Sequence, residues 1–329
     1  RTGGFTAMML STMQDSLNEK KYDFKKAVYA YTGVSGGSLG IGFFNAINYL
    51  ADPKDLVKNS STQMSKDFFS NDFLAPVIGK MFYGDILNLF IPIQIEKFDR
   101  AIALEKSWED AWYCVQRDEH TDNIFHNNFL GGYKDKKNYP ALFINTTEVE
   151  TGLQCWISNV KPADNMIFSS QRDLLAKKVR GDIPFSTAIN FSTRFPLLSP
   201  AANVNISSRK LHYVDGGYAE NSGAATMLEI LQQLKPLLAD TSAGIKIKPY
   251  IMMLQFNADE PEADPKKEKN NNLNFGNEVT EILSGIYNTR SGRTRTAIEQ
   301  LRRYVNNEIN GKMIMLPLDK GSGEVPMNW

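Results

Sequence analysis

The sequence predicts an α/β fold in which helices flank a central, mostly parallel β-sheet, with a helical insertion after the first strand and its helix. Three observations predict it. A short apolar segment, a glycine-rich turn and a helical segment follow one another in residues 25–50, the strand–turn–helix unit of α/β proteins. Residues 52–137 are helical in character and rich in aromatic residues, and strand-like segments resume at residue 141. We therefore predict a single domain over residues 1–329, with the insertion at about 52–137.

Hydrophobic periodicity assigns the individual elements. Apolar residues recur on one side of the predicted helices, whereas short apolar or alternating runs bounded by turn residues predict strands. The predicted helices are residues 5–18, 38–50, 223–234 and about 277–307. The predicted strands are residues 25–33, 141–149, 152–160, 211–217, 248–256 and 312–318. Residues 259–274, which are polar and charged with two prolines, predict a solvated loop.

Composition excludes several classes of function. The 37 Lys and Arg residues balance 37 Asp and Glu residues and are spread along the chain, which argues against nucleic-acid binding. The two cysteines, Cys114 and Cys155, are too few for a disulfide framework, and we expect a reducing compartment or the cytoplasmic face of a membrane. The three histidines are scattered, which argues against a zinc site. Because the chain begins at Arg1, we expect a fragment of a longer protein.

The segment Phe73–Ile95 is long and apolar enough to consider as a membrane span, which needs about 20 residues. Lys80 and Asp85 near its centre each oppose insertion by roughly 2.5 to 3.5 kcal/mol, and the segment also contains two prolines. These residues favour a buried helix pair over a span. An apolar surface that enters a lipid interface remains the alternative.

Residues 33–40, GVSGGSLG, contain the serine-hydrolase pattern G-x-S-x-G twice, centred on Ser35 and on Ser38. Ser35 lies on the turn just beyond the predicted strand, between glycines that remove steric clashes from a strained turn. The next backbone N–H, on Gly36, is placed to hold an oxyanion at a helix start. Ser38 falls in the first helical turn, where serine is a common structural residue. We predict Ser35 as the nucleophile.

A serine nucleophile needs a group that accepts its proton. His120 and His126 lie in a polar, loop-like stretch, and His212 lies on a predicted strand, so we expect structural roles for all three. Asp215 stands where an apolar strand meets two glycines, so that backbone can approach closely. Asp215 is therefore the candidate base, and a plain Asp-Gly turn is the alternative reading.

Together, GVSGGSLG and VDGGYAENSG, 180 residues apart from serine to aspartate, resemble the patatin-like phospholipase family, the group of patatin and cytosolic phospholipase A2. LFINTTEVETG and STAINFSTRFPLLSPA between them resemble segments that precede the Asp-Gly-Gly motif in that family. The similarity is densest in residues 25–45 and 141–227. It implies a patatin-like fold and a lipid acyl hydrolase with a Ser-Asp dyad.

The resemblance implies roles for individual residues. Asp215 would accept the Ser35 proton as Oγ attacks an ester carbonyl, and would then activate the water that hydrolyses the acyl-enzyme. The nucleophile elbow is assigned to Gly33, Gly36 and Gly37, and the Asp-Gly-Gly motif to Asp215, Gly216 and Gly217.

The start of the chain departs from the family pattern, which has a glycine-rich oxyanion loop followed by arginine. Here the chain begins RTGGF, so Arg1 is the candidate for that arginine. Gly3 and Gly4 are candidate oxyanion residues or, alternatively, small residues at a helix start. A fragment without the loop would fold and yet be inactive.

Three other features have two readings each. The stretch Arg194–Pro196 is expected to shape a turn near the site, with binding of a headgroup phosphate as the alternative. Asn221 is expected to cap the helix that follows, with a hydrogen bond to the Asp215 loop as the alternative. The basic run at 289–303 is expected to be a solvated helix face, with contact to anionic lipid as the alternative.

The sequence thus predicts cleavage of carboxylic ester bonds in glycerophospholipids or related lipids, without metal or cofactor. The expected partners are the lipid substrate and a membrane surface, not nucleic acid, and protein partners are left open. The alternatives are a catalytically silent lipid-binding or scaffolding domain of the same fold and a small-ester hydrolase with a histidine triad.

Overall fold

The computed structural model describes most of the chain, and its contacts divide into two compact units, Arg1–Ala219 and Glu220–Trp329. The described residues are 2–90, 100–118, 120–160, 173–177, 181–195, 199–206, 209–239, 247–255 and 275–317. Each unit is described by itself. The predicted loop at 259–274 lies outside the described residues, and the single domain over 1–329 stays a prediction.

The first unit contains helices and one five-stranded sheet within its described residues. The helices are α1 (Thr2–Glu19), α2 (Phe24–Ala27), α3 (Gly36–Asn45), α4 (Ser61–Phe69), α5 (Leu74–Phe90), α6 (Arg100–Trp112), α7 (Leu174–Lys177) and α8 (Phe185–Thr193). The strands are β1 (Ala30–Val34), β2 (Ala141–Glu148), β3 (Gln154–Ser158), β4 (Ala202–Ile206) and β5 (Arg209–Asp215). A π-helical turn, Ala46–Leu50, continues α3. The predicted α/β class with a sheet flanked by helices is confirmed.

Strand β2 is the centre of the sheet and pairs with three other strands. It runs parallel to β1 and antiparallel to β3 and β5, and β4 pairs antiparallel with β5. The described pairing is therefore more mixed than the mostly parallel sheet that the sequence predicts. The reason is local: the short connections between β2 and β3 and between β4 and β5 can join only antiparallel neighbours.

The register of β2 brings two strand ends together. β3 lies along one edge of β2, so β1 and β5 share the other edge. The last residue of β1, Val34, is opposite Asn145, and the last residue of β5, Asp215, is opposite Thr146. Because Asn145 and Thr146 are consecutive, the two strands end head to head at one point of the sheet edge.

The helices between β1 and β2 build an aromatic core. The ring of Phe43 on α3 lies 4.5 Å from that of Phe68 on α4 and 6.1 Å from that of Trp112 on α6, measured between centroids. Phe68 in turn stacks on Phe125 at 5.2 Å. These rings are almost completely buried. Phe68, Trp112 and Phe125 of the 52–137 segment are therefore core residues.

The start of α5 exposes large apolar side chains. Asp72 Oδ1 accepts the backbone N–H of Leu74 at 2.9 Å and of Ala75 at 3.0 Å, which caps the helix. Leu74, Ile78 and Phe82 are 52%, 41% and 56% exposed, and their i, i+4, i+8 spacing puts them on one face. Part of the predicted Phe73–Ile95 segment lies outside the described residues. Within the part of the chain that the structure describes, no helix is long and apolar enough to cross a membrane.

The second unit has its own small core. It contains α9 (Ala224–Ala239), β6 (Tyr250–Gln255), α10 (Phe275–Asn307) and β7 (Lys312–Pro317), and β6 pairs parallel with β7. Ile251 and Met253 of β6 pack in one buried cluster with Leu301 and Val305 of α10. On the outer side of α10, Arg302 and Arg303 lie 3.5 and 2.8 Å from Glu299 and are exposed, the arrangement expected of a solvated helix face.

Most predicted elements are present with shifted ends. The first predicted strand begins later than expected, because residues 24–27 form α2. Strand β4 and helix α8 were not among the predicted elements. β4 (ANVNI) is a short strand in which, among the side chains that the structure describes, Ala202 and Val204 are buried and the two asparagines are exposed. Its apolar signal is therefore weak.

Candidate active site

Ser35 lies on a sharp turn between β1 and α3, at the point where the two strand ends meet. Its backbone has φ 53° and ψ −131°, a conformation that costs a non-glycine residue on the order of 1–3 kcal/mol and is typical of functional sites. Ser35 and its neighbours Gly36 and Gly37 are half-exposed. A Cβ added to Gly37 would meet no atom within 4 Å. The turn is therefore open on the side of Gly37, where a substrate can approach.

Gly33 allows helix α3 to fold back tightly against the end of β1. A Cβ at Gly33 would lie 2.5 Å from Ile41 Cδ1, 2.8 Å from Ser38 Cα and 2.9 Å from Ser38 Oγ. Since contacts this short do not occur, only glycine fits at this position. Ser38, the second serine of the overlapping motif, is thereby buried, and its Oγ lies 2.8 Å from Ser192 Oγ.

Asp215 is the hydrogen-bond partner of the Ser35 side chain. Ser35 Oγ donates to Asp215 Oδ2 at 2.5 Å, and the backbone N–H of Gly217 donates to the other carboxylate oxygen, Oδ1, at 2.7 Å. Asp215 is 2% exposed, so these donors compensate for the removal of the carboxylate from water. The structure thus brings together the two residues predicted as nucleophile and base.

The Asp-Gly-Gly turn packs directly on strand β2. A Cβ at Gly216 would overlap the backbone carbonyl of Asn145, so this position also requires glycine. Thr147 Oγ1 donates to the Asp215 carbonyl at 3.0 Å and accepts the backbone N–H of Ala219 at 3.1 Å. Strand β2 therefore fixes the conformation of the turn from the Asp215 carbonyl to Ala219, which argues against a plain surface turn.

The C-terminal end of α8 contacts both members of the Ser–Asp pair. The backbone N–H of Ser35 donates to Ser192 Oγ at 2.9 Å, and the backbone N–H of Asp215 donates to the Arg194 carbonyl at 3.0 Å. Ser192 is not among the site residues predicted from the sequence. A serine in a helix that already contains Ser186, Thr187, Asn190 and Thr193 gives only a weak signal, since serine is common at helix ends.

The oxyanion candidates occupy two adjoining helix starts. Gly36 and Gly37 are the first residues of α3, and their N–H groups have no acceptor within the helix. The structure places Gly3 and Gly4 in the first turn of α1, so they follow the helix-start alternative rather than the loop. Gly3 adjoins Gly36: a Cβ on Gly3 would lie 2.9 Å from the Gly36 carbonyl. Gly4 faces the Phe69 side chain instead. Arg1 lies outside the described residues.

The three histidines have partners other than Ser35. His212 Nδ1 lies 2.6 Å from Glu150 Oε1, and His126 Nδ1 lies 3.5 Å from Glu109 Oε2. The backbone N–H of His120 donates to Asp118. These contacts agree with the expected structural roles. Among the described residues, no group of three or more His, Cys, Asp or Glu side chains could hold a metal ion.

Arg194 has a buried, paired guanidinium. It is 8% exposed, Nη1 donates to the Pro200 carbonyl at 3.2 Å, and Nη2 lies 3.6 Å from Glu105 Oε1. These contacts favour the turn-shaping role over phosphate binding. Pro196 lies outside the described residues.

Asn221 does not cap the helix that follows it, contrary to the prediction. Ser222 Oγ accepts the first helical N–H, that of Ala224, at 3.2 Å, and Glu220 accepts the N–H of Ser222 and of Ala225. The backbone N–H of Asn221 donates instead to Thr294. The helix begins at Ala224, one residue later than expected, so Ser222 lies closer to its first residue than Asn221 does.

A cavity of about 240 Å³ in the first unit lies away from Ser35. It is bounded by Leu50 and Ala51, after α3, and by Trp112, Gln116 and Phe185 among others. Ser35 is at the opposite end of α3, and ten helical residues span about 15 Å. A substrate of Ser35 would therefore bind on the open side of the turn and not in this cavity.

Comparison of the sequence with protein-family models and with curated proteins gave no significant match. The resemblance to patatin-like phospholipases accordingly remains a prediction from the motifs.

Proposed function

We propose that this protein is a lipid acyl hydrolase of patatin-like fold, which cleaves carboxylic ester bonds through a Ser35–Asp215 dyad. The observation that carries the proposal is the 2.5 Å hydrogen bond from Ser35 Oγ to Asp215 Oδ2. The strained, half-exposed backbone of Ser35 at the start of a helix supports it, because a nucleophile elbow requires this conformation.

The proposed reaction uses the dyad twice. As Ser35 Oγ attacks the ester carbonyl, Asp215 Oδ2 accepts its proton, and the backbone N–H of Gly36 donates to the developing oxyanion. The proton passes to the leaving alcohol when the ester C–O bond breaks and the acyl-enzyme remains. Asp215 then accepts a proton from water, whose oxygen attacks the acyl carbon, and returns it to Ser35 as the fatty acid leaves.

A lipid rather than a small ester is proposed because of the apolar face of α5. Leu74, Ile78 and Phe82 expose large side chains on one side of this helix, a pattern suited to a lipid interface. The face is linked to the site through packed residues: Gly3 adjoins Gly36 and Phe69, and the ring of Phe69 lies 6.0 Å from that of Phe73, which directly precedes α5.

The test is labelling with a fluorophosphonate, which forms a bond only with an activated serine. We expect the wild type to be labelled, Ser38→Ala to keep most of the labelling, and Ser35→Ala to lose it. Asp215→Asn should slow labelling by about 10²- to 10⁴-fold, the range for removal of a general base. Labelling that persists in Ser35→Ala would exclude the dyad. An unlabelled wild type would favour the silent lipid-binding domain.

Substrate class is tested separately. Release of fatty acid from phosphatidylcholine vesicles is compared with hydrolysis of p-nitrophenyl acetate. We expect the vesicle reaction to be faster per mole of enzyme and to depend on Ser35. Hydrolysis of the acetate alone would favour the small-ester hydrolase, and replacement of His120, His126 and His212 by Ala would then show whether a histidine is the base.

A further inference from the structure

Ser192 belongs to a closed ring of hydrogen bonds that joins three serines at the nucleophile elbow. Its Oγ accepts the backbone N–H of Ser35 at 2.9 Å and lies 2.8 Å from Ser38 Oγ. The backbone N–H of Ser38 completes the ring by donating to the Ser35 carbonyl at 2.9 Å. Ser192 and Ser38 are both fully buried. The ring therefore holds the backbone N–H and C=O of Ser35 at once.

This ring acts on the strained residue itself. A left-handed backbone conformation at a serine persists only where surrounding contacts hold it. The Ser192 bond fixes the orientation of the peptide plane that precedes Ser35, and this plane sets the φ of 53°. The side chain leaves the backbone in the direction that this φ dictates, toward Asp215 Oδ2. Loss of the Ser192 hydroxyl would free the plane to rotate.

The same bond also decides which amides can serve the oxyanion. Because the Ser35 N–H already donates to Ser192 Oγ, it is not available as a donor to an ester oxygen that develops charge. The donors that remain at the turn are the N–H groups of Gly36 and Gly37 at the start of α3. Ser192 thereby gives the Ser35 amide a structural role and leaves the Gly36 and Gly37 amides as donors to the oxyanion.

We propose that Ser192 is a positioning residue of the Ser35–Asp215 dyad, which acts by holding the backbone N–H of Ser35. This inference rests on the proposed function. It is strengthened by Arg194, two residues further on, whose carbonyl accepts the backbone N–H of Asp215 at 3.0 Å. One short segment at the end of α8 thus holds both residues of the dyad and sets the distance between them.

The chain offers a matched control for a purely structural role. Ser186 lies on the same helix, is also fully buried, and its Oγ donates to Glu109 Oε1 at 2.7 Å, away from the dyad. Ser186→Ala and Ser192→Ala each remove one buried hydroxyl from α8. If serines in this helix serve only packing and stability, the two variants will behave alike.

The experiment measures the second-order rate of fluorophosphonate labelling at Ser35 and the melting temperature of wild type, Ser192→Ala, Ser192→Cys and Ser186→Ala. We expect labelling of Ser192→Ala to slow by about 10- to 100-fold, because small displacements of a reacting group have effects of this size. Ser186→Ala should keep the wild-type rate at a similar loss of melting temperature. Ser192→Cys, with a weaker acceptor of nearly the same size, should be intermediate, and it replaces Ser192→Ala if that variant does not fold.

A second readout follows the hydrogen bond directly. Exchange of the Ser35 backbone amide with deuterium, measured by NMR, should be slow in the wild type and in Ser186→Ala and faster in Ser192→Ala. Two outcomes would overturn the role of Ser192 and leave the proposed function intact. One is an equal labelling rate for wild type and Ser192→Ala, and the other is an equal loss of labelling rate in Ser192→Ala and Ser186→Ala. Absence of labelling in the wild type would overturn the proposed function, and the role of Ser192 with it.

Discussion

The dyad region and the exposed face of α5 belong to the same unit of the chain. The side chains of the dyad region are held by hydrogen bonds, whereas those on the α5 face are exposed. Ser35, Asp215 and Ser192 make hydrogen bonds of 2.5 to 3.0 Å with fixed partners. Leu74 and Phe82 are more than half exposed. Chemistry at the dyad depends on the positions of single atoms, whereas adhesion of α5 to an apolar phase depends on area. One substitution should therefore disable the dyad, whereas several substitutions on α5 should be needed to abolish its adhesion to an apolar phase.

The largest effect is expected from Gly33→Ala. The added Cβ would lie 2.8 Å from the Ser38 backbone, so α3 must shift away from β1. We expect a loss of about 1–3 kcal/mol of unfolding free energy, as for overpacking in a core, together with loss of fluorophosphonate labelling. Urea unfolding followed by circular dichroism measures the first effect.

Gly37→Ala is the matched control for Gly33→Ala. A Cβ at Gly37 meets no atom within 4 Å, and Gly37 lies in the first turn of α3. Alanine in a helix is favoured over glycine by roughly 0.5–1 kcal/mol, so stability should stay equal or rise. Equal destabilisation by both substitutions would show that close packing does not explain the requirement for glycine at position 33.

A smaller effect is expected on the α5 face. Replacement of Leu74, Ile78 and Phe82 by Gln should weaken binding to phosphatidylcholine vesicles by tenfold or more, because full burial of each such side chain is worth roughly 1.5–3 kcal/mol. The rate of fluorophosphonate labelling in solution should be unchanged. Co-sedimentation with vesicles measures binding.

Tyr22 and Tyr29 provide the control for the α5 face. They are 71% and 65% exposed and lie outside α5, so their replacement by Gln changes the exposed apolar surface at a different place. Binding to vesicles should then remain as in the wild type. A similar loss of binding in both sets of variants would indicate general stickiness and not an oriented lipid contact.

The smallest effect concerns the pH dependence of stability that arises from Glu105, which is hydrogen-bonded to α8. Glu105 accepts hydrogen bonds from Asn190 and Thr187 at 2.7 and 2.8 Å, and burial raises the pKa of its carboxyl above the ordinary value of 4.5. The folded protein therefore holds this proton more tightly than the unfolded chain does. Stability should decline as the pH rises from about 4.5 to the folded pKa and then level off.

Two variants test this pH dependence in opposite directions. Glu105→Gln should remove the contribution of Glu105 to the decline. Thr187→Val should enlarge the decline. In the wild type the hydrogen bond from Thr187 lowers the pKa of Glu105, so its removal raises that pKa further. Unfolding free energies from pH 4 to 7 provide the measurement, and identical profiles for wild type and both variants would contradict the prediction.

Short-range patterns predicted much of what surrounds the dyad. Ser35 was predicted from glycines that permit a strained turn, and Asp215 from its place between an apolar strand and two glycines. The structure places both at strand ends. Ser192 was not assigned a function, because its contact with Ser35 spans 157 residues and a serine near a helix end is unremarkable in sequence. Strand β4 was also missed, because its apolar signal is weak.

The sequence by itself determined the local conformations: a strand that ends in a glycine-rich turn, a helix that begins there, and a second turn of the form Asp-Gly-Gly. These depend on steric properties of neighbouring residues, which the sequence states directly. Only the tertiary structure decided that the two turns meet. That meeting results from register, since Val34 and Asp215 lie opposite the consecutive residues Asn145 and Thr146 of β2. Register depends on contacts between distant segments, which no local pattern contains.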